Sequence, residues 1–360
     1  MSEKTIHGLQ IGRGVAAMAV VLFHAEGAFN NLFANSKIAL FTAGHAGVHF
    51  FFVISGFIIA HSHRGDIGTA GFLRMYWMRR IFRIVPLFWL VMLAYGVKSI
   101  LTNQWDAVFF FKTVFLIPMS KLPLLVQAWT LTHEFMFYGL FSLLIVWGMR
   151  AAWLFLVWFV AIVAVWGLSP IESCSAIGDC TLKAFLNPIN LLFGFGLLAE
   201  YLNRCHAKPT LQRAAFCIGL LYFATLMVLE TDGVLTEGSE LDVLGYGFAS
   251  FLVIYGIPAF ALSARAQRWA TELGNVSYPA YLVHGMLISV ALAIVARLTR
   301  DPVAVYVLMM GVVVVSTFLV SLLIHRYFER PLARLVTPWT GRAMRGHAAT
   351  TGKQPSTAVS

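Results

Sequence analysis

Arg13 and His24 lie eleven residues apart in one apolar stretch. On a helix rising 1.5 Å per residue they would stand roughly 16 Å apart. Eleven residues is close to three turns, so both side chains fall on nearly one face. A cation at the membrane surface with a titratable base deeper in would suit a long anionic donor. Imidazole has an ordinary pKa of about 6.5, near working pH, which fits a general base. The same pair also reads as a snorkelling arginine and a hydrogen-bonded interhelical histidine.

Five further groups of polar residues interrupt apolar segments, where ionisable side chains are costly and usually mark function. In the run from His49 to Phe57, Ser55 and Gly56 are small enough to let two helices approach closely; a Ser55 nucleophile has no base beside it in sequence. His45 and His49, four apart, have metal-ligand spacing, but no neighbouring carboxylate completes a site. Arg80 and Arg83 share a helical face and could grip a phosphate with two guanidinium forks, or anchor the chain among lipid heads. Glu134, one turn before Tyr138 and five residues after Trp129, is a carboxylate needing a cationic or hydrogen-bonding partner. Tyr281 and His284 follow Ser277 and Tyr278, and Glu329-Arg330-Pro331 closes the series. His284 alone also reads as a satisfied core histidine.

The elements that must position these groups are membrane helices. The 360 residues are 59% hydrophobic and only 12% charged, whereas soluble domains carry about 25% charged residues. Ten apolar stretches approach the roughly 20 residues a crossing needs: 11–30, 44–62, 82–102, 129–148, 151–168, 186–203, 212–230, 243–262, 275–296 and 303–325. The fourth and fifth are separated only by Met149 and Arg150, as in a tight hairpin. The segment 107–118 is too short and reads as re-entrant or interfacial. Lys4 before the first stretch resembles a secretory signal, but Arg13 interrupts it and no clean cleavage site follows, so a retained span is expected.

With ten crossings and a cytoplasmic N-terminus, most of the 26 Lys and Arg fall on the cytoplasmic side. They concentrate at Arg64–Arg83 and Arg326–Lys353, as the positive-inside rule requires. The net charge of +10 is then explained by anionic lipid heads, and no nucleic-acid partner is expected. The loop with Cys174 and Cys180 falls outside, where a disulfide can persist; the acidic loop Glu230–Asp242 falls there too. Residues 1–330 read as one transmembrane domain and 331–360 as a basic, disordered cytoplasmic tail.

Taken in order, these motifs resemble the acyltransferase-3 family of bacterial membrane proteins. The resemblance rests on Arg13 with His24, the Phe51–Phe57 run, Arg80-x-x-Arg83 with Pro86, the Trp129, Glu134 and Tyr138 cluster, Ser277-Tyr278-x-x-Tyr281-x-x-His284, and Glu329-Arg330-Pro331. It runs from Leu9 to Pro331. The shape is closest to members that acetylate exopolysaccharides. One departure is His49, where many members carry an acidic residue, so no role of that carboxylate transfers.

The resemblance implies an all-α bundle of about ten helices with both termini cytoplasmic, in the bacterial inner membrane. It also implies an O-acyltransferase moving an acyl group, acetyl above all, from acyl-CoA to a sugar hydroxyl of an exopolysaccharide or other surface glycan. Acetyl-CoA enters as donor substrate, and no tightly bound cofactor or metal is expected. His24 is the expected base and Glu134 orients it or the sugar. Arg13, Arg80 and Arg83 meet the donor phosphates. Ser55, Tyr138, Tyr281, His284 and Glu329 support substrate or structure. Partners would be a glycan acceptor, such as a lipid-linked repeat unit, membrane lipids and the polysaccharide assembly machinery. Direct transfer is favoured over an acyl-enzyme, because no serine or thiol has an evident activating base. Two other classes fit less well. A transporter or flippase for a lipid-linked sugar would also use intramembrane ions and broken helices. A structural subunit would leave the His, Arg and Glu unexplained.

Overall fold

The computed structural model describes residues 6–33, 38–119, 122–168, 177–299 and 301–335. Among these the chain is helical, with no strand. The helices are α1 (His7–Leu32), α2 (Ala46–His63), α3 (Leu73–Leu101), α4 (Ala107–Val114), α5 (Ala128–Trp147), α6 (Ala152–Leu168), α7 (Ile177–Phe185), α8 (Leu191–Cys205), α9 (Pro209–Thr231), α10 (Glu240–Gly256), α11 (Ala264–Leu298) and α12 (Pro302–Ile324). Several begin on a polar residue whose side chain takes up a free backbone N–H. Asp106 accepts from Phe109, Ser239 from Asp242, Ser263 from Ala266 and Asp301 from Ala304.

Nine stretches among the described residues are long and apolar enough to cross a membrane, against the ten expected. The difference lies at 128–166, counted as one stretch although it holds both α5 and α6. These two helices run antiparallel. The rings of Phe137 and Phe155 have centroids 6.2 Å apart, whereas in one continuous helix they would stand about 27 Å apart. Gly148 makes the reversal with φ +68°, a left-handed conformation that suits glycine. The expected tight hairpin is therefore present.

Three boundaries differ from expectation. Residues 74–83 were expected in a loop, but α3 begins at Leu73 and carries Arg74, Arg79, Arg80 and Arg83 on its first turns. Hydropathy starts the span at residue 82; helix propensity is indifferent to that, because Arg, Met and Leu all favour helix. Likewise α11 begins eleven residues before the expected 275, so its 35 residues reach about 52 Å, well past a hydrocarbon core of roughly 30 Å. The acidic segment 230–242 is no solvated loop at its ends: Glu230 lies on α9 and Asp242 on the first turn of α10, and both are buried. The segment 107–118 contains only the eight-residue α4. Helix continues to residue 335, and the expected disorder falls on 336–360, outside the described residues. Cys174 is also outside them; Cys180 is disulfide-bonded, and Cys205 and Cys217 are free.

The described chain forms two compact units. The His24 unit comprises 6–57 and 195–327; the Arg80 unit comprises 58–194 and 328–335. In the His24 unit, α1 lies along α11, α11 along α12 and α9 along α10. Val21, Ala25 and Phe29 interdigitate there with Ile288, Val295 and Met309. Lipid tails are as apolar as these side chains, so close packing and hydrogen bonds hold such helices together. Outward, Leu93, Leu156, Leu221 and Val307 are each more than half exposed, an apolar coat that suits lipid as solvent.

Candidate active site

In the His24 unit, α1 carries Arg13 and His24. His24 is half-buried, and its Nδ1 lies 2.9 Å from the Val20 carbonyl. A carbonyl oxygen only accepts, so Nδ1 carries a proton, and in the neutral ring Nε2 presents the lone pair. That is the tautomer a general base requires. His284 of α11 meets His24 with ring centroids 5.1 Å apart. It is fully buried, and its Nδ1 donates to the Ala280 carbonyl at 3.3 Å. Tyr281 lies 5.9 Å from His284 on one side and 5.9 Å from Phe51 on the other. The structure thus brings His24, Tyr281 and His284 together. Ser55 sits one turn beyond Phe51 on α2. Gly56 beside it is where α8 approaches: a Cβ added at Gly196 would lie 2.1 Å from the Val53 carbonyl oxygen and 2.8 Å from Gly56 Cα. Gly56 and Gly196 thus let α2 and α8 approach closely. Arg13 stays three turns from His24 and donates to Gln10 Oε1 at 3.1 Å.

A second polar group in this unit escaped the sequence reading. His45 Nε2 lies 2.9 Å from Glu230 Oε1, and Tyr246 donates its hydroxyl to Glu230 Oε2 at 2.8 Å. Asp242 Oδ2 accepts from the Gly238 amide at 2.7 Å and stands 3.8 Å from His49 Nε2. His45 and His49 thus do have carboxylates nearby, supplied by α9 and α10. His45 and Tyr246 hydrogen-bond to Glu230, whereas both ring nitrogens of His49 are buried without a hydrogen bond, and no three His, Cys, Asp or Glu among the described residues gather as a metal site. Glu26, also buried, accepts from the amides of Leu40 and Phe41 and from Tyr306 Oη, all at 3.0 Å; it fastens the turn before α2.

In the Arg80 unit the expected cluster is joined by unexpected members. Tyr138 donates its hydroxyl to Glu134 one turn earlier on α5. The Arg80 guanidinium lies 5.6 Å from the Tyr138 ring centroid and 6.0 Å from that of Tyr76, within cation–π range. Tyr76 Oη donates to the Tyr138 carbonyl at 3.1 Å. Arg80 Nη2 lies 2.8 Å from His63 Nε2, and His63 Nδ1 lies 2.8 Å from Asp66 Oδ2. Arg80 is buried, whereas Arg83, three residues on, is exposed; the two forks do not share one environment. Glu329 lies in a π-turn after α12, His325–Glu329, a distortion often found at functional sites. His63, Asp66 and Tyr76 were missed because they stand at the ends of apolar runs, where polar residues ordinarily face lipid heads.

An acyltransferase domain family matches residues 6–326. The chain is also 30% identical over 333 residues to the exopolysaccharide production protein ExoZ of Rhizobium meliloti (strain 1021), covering 87% of this chain and 95% of that protein. No solved structure matches.

Proposed function

The chain belongs to the acyltransferase-3 family, a multi-pass membrane acyltransferase, and from that premise we propose that it moves an acetyl group from acetyl-CoA to a sugar hydroxyl of an exopolysaccharide or other surface glycan. The likeness to an exopolysaccharide production protein supports the acceptor class. The observation that carries the mechanism is the His24 tautomer, fixed by the Val20 carbonyl. His24 Nε2 takes the proton of the acceptor hydroxyl as its oxygen attacks the thioester carbonyl carbon. The carbon–sulfur bond then breaks, and the imidazolium returns the proton to the departing CoA thiolate. The transfer is direct and releases no net proton. Arg80, Arg83 and Arg13 are the proposed partners of the donor phosphates, with Glu134, Tyr138, Ser55, Tyr281, His284 and Glu329 in support.

The donor enters from the cytoplasm of a cell with this protein in its inner membrane. Ten crossings place both termini there, a reading supported by the distribution of Lys and Arg. Reporter fusions are expected to find both termini cytoplasmic and residues 169–185 outside; an odd number of crossings would overturn the donor side. The acceptor is a lipid-linked repeat unit or nascent polymer, close to the assembly machinery.

The function itself is tested with purified protein in lipid nanodiscs, labelled acetyl-CoA and a glycan acceptor. An alkali-labile labelled ester on the glycan is expected. Movement of a lipid-linked sugar without label transfer would return the protein to the transporter class.

A further inference from the structure

We propose that His63 and Asp66 are a positioning pair that orients Arg80 and preserves its charge for the phosphates of the acyl donor. The inference rests on the reading of Arg80 as a donor ligand. All three side chains are buried, at 1%, 3% and 7% exposure for His63, Asp66 and Arg80. A guanidinium has only donors, so the 2.8 Å contact from Arg80 Nη2 requires a lone pair on His63 Nε2. The His63 proton must then sit on Nδ1, where it donates to Asp66 Oδ2 at 2.8 Å. The carboxylate fixes the tautomer, as second-shell carboxylates do for metal-binding histidines.

The order of the three groups matters. A carboxylate placed directly on Arg80 would pair with it and spend its positive charge. An interposed neutral imidazole instead supplies an acceptor that aims the fork without neutralising it. Tyr76 and Tyr138 surround the cation with ring faces, which stabilise charge without cancelling it. Arg80 Nε is buried and makes no hydrogen bond. A desolvated arginine with its charge intact and a donor unspent calls for an anion, and a phosphate oxygen is the complement that donor chemistry supplies.

The test compares two acetyl donors, acetyl-CoA and the phosphate-free thioester S-acetyl-N-acetylcysteamine, per folded molecule in nanodiscs. The informative variants are Arg80→Ala, His63→Leu, His63→Gln, His63→Asp and Asp66→Leu. Arg80→Ala is expected to raise KM far more for acetyl-CoA than for the truncated donor. His63→Leu and Asp66→Leu are expected to reproduce roughly tenfold or more of that selective rise, the size of a hydrogen bond to a charged group. His63→Gln keeps an acceptor for Arg80 and is expected to return within about threefold of wild type. His63→Asp pairs the charge away and is expected to behave like His63→Leu. If Arg80→Ala is selective but the His63 and Asp66 variants keep wild-type KM, the positioning inference fails and the donor reading stands. If Arg80→Ala does not distinguish the two donors, the donor reading fails and the inference falls with it. Should the leucine variants not fold, His63→Gln against His63→Asp decides; equal KM values in that pair would overturn the proposal.

Discussion

His24→Ala lowers acetyl transfer per folded molecule by roughly 10²–10⁴-fold, the range for loss of a general base, while the protein still inserts and folds. His24 is only half-buried, and one of its two nitrogens bonds to the backbone of its own helix, so removing it leaves no distant partner orphaned. His24→Gln sharpens the point. Glutamine can replace the hydrogen bond to Val20 but cannot take a proton at neutral pH. A catalytic His24 therefore gives a glutamine variant as slow as the alanine one at normal abundance. A structural His24 would give near wild-type turnover with glutamine, and His284 or Glu134 would then be the base to test. Turnover at saturating donor and acceptor, normalised to protein recovered by size-exclusion chromatography, separates the two.

Glu230→Ala is expected to produce the opposite pattern, a large loss of stability with a much smaller loss of turnover per folded molecule than His24→Ala. Glu230 accepts from Tyr246 and His45 at once, and all three are buried. Removing the carboxylate leaves a hydroxyl and an imidazole with no acceptor, and each buried donor left unsatisfied costs about 1–3 kcal/mol. The midpoint of thermal aggregation in detergent reads this directly. Glu230→Gln retains an acceptor oxygen for Tyr246 and an amide that can donate to His45 in its other tautomer, so most of the stability should return. An unchanged midpoint in Glu230→Ala would show that the cluster does not hold α9, α10 and the turn before α2 together.

How far such groups were legible in the sequence followed from distance along the chain. Tyr138 and Glu134 are one turn apart, so their contact could be read from spacing. His24 and His284 were each conspicuous as histidines in apolar spans, but their meeting depends on how α1 lies along α11, which no local pattern records. Glu230 and Asp242 read in the sequence as the ends of an acidic loop outside the membrane; the partners of Glu230, His45 and Tyr246, stand 185 and 16 residues from it. His63 and Asp66 were passed over for a related reason. A polar residue at the end of an apolar run is ordinarily explained by the lipid interface, and only the burial of Arg80 beside them shows that these do something else. The helices themselves were legible, since apolar length announces a crossing. Their starts were not, because α3 and α11 continue as helix beyond the apolar layer, where hydropathy falls silent.

The apolar coat has a consequence for how this protein changes over generations. A side chain such as Leu156 or Val307, pointing into lipid tails, need only remain apolar; exchanging it for another branched aliphatic alters neither packing nor solvation by much. Mutation can therefore accumulate at such exposed apolar positions with little selection against it, lowering overall identity between descendants. Descent would be traced more faithfully through the few polar side chains inside the helices than through the many residues that face the bilayer.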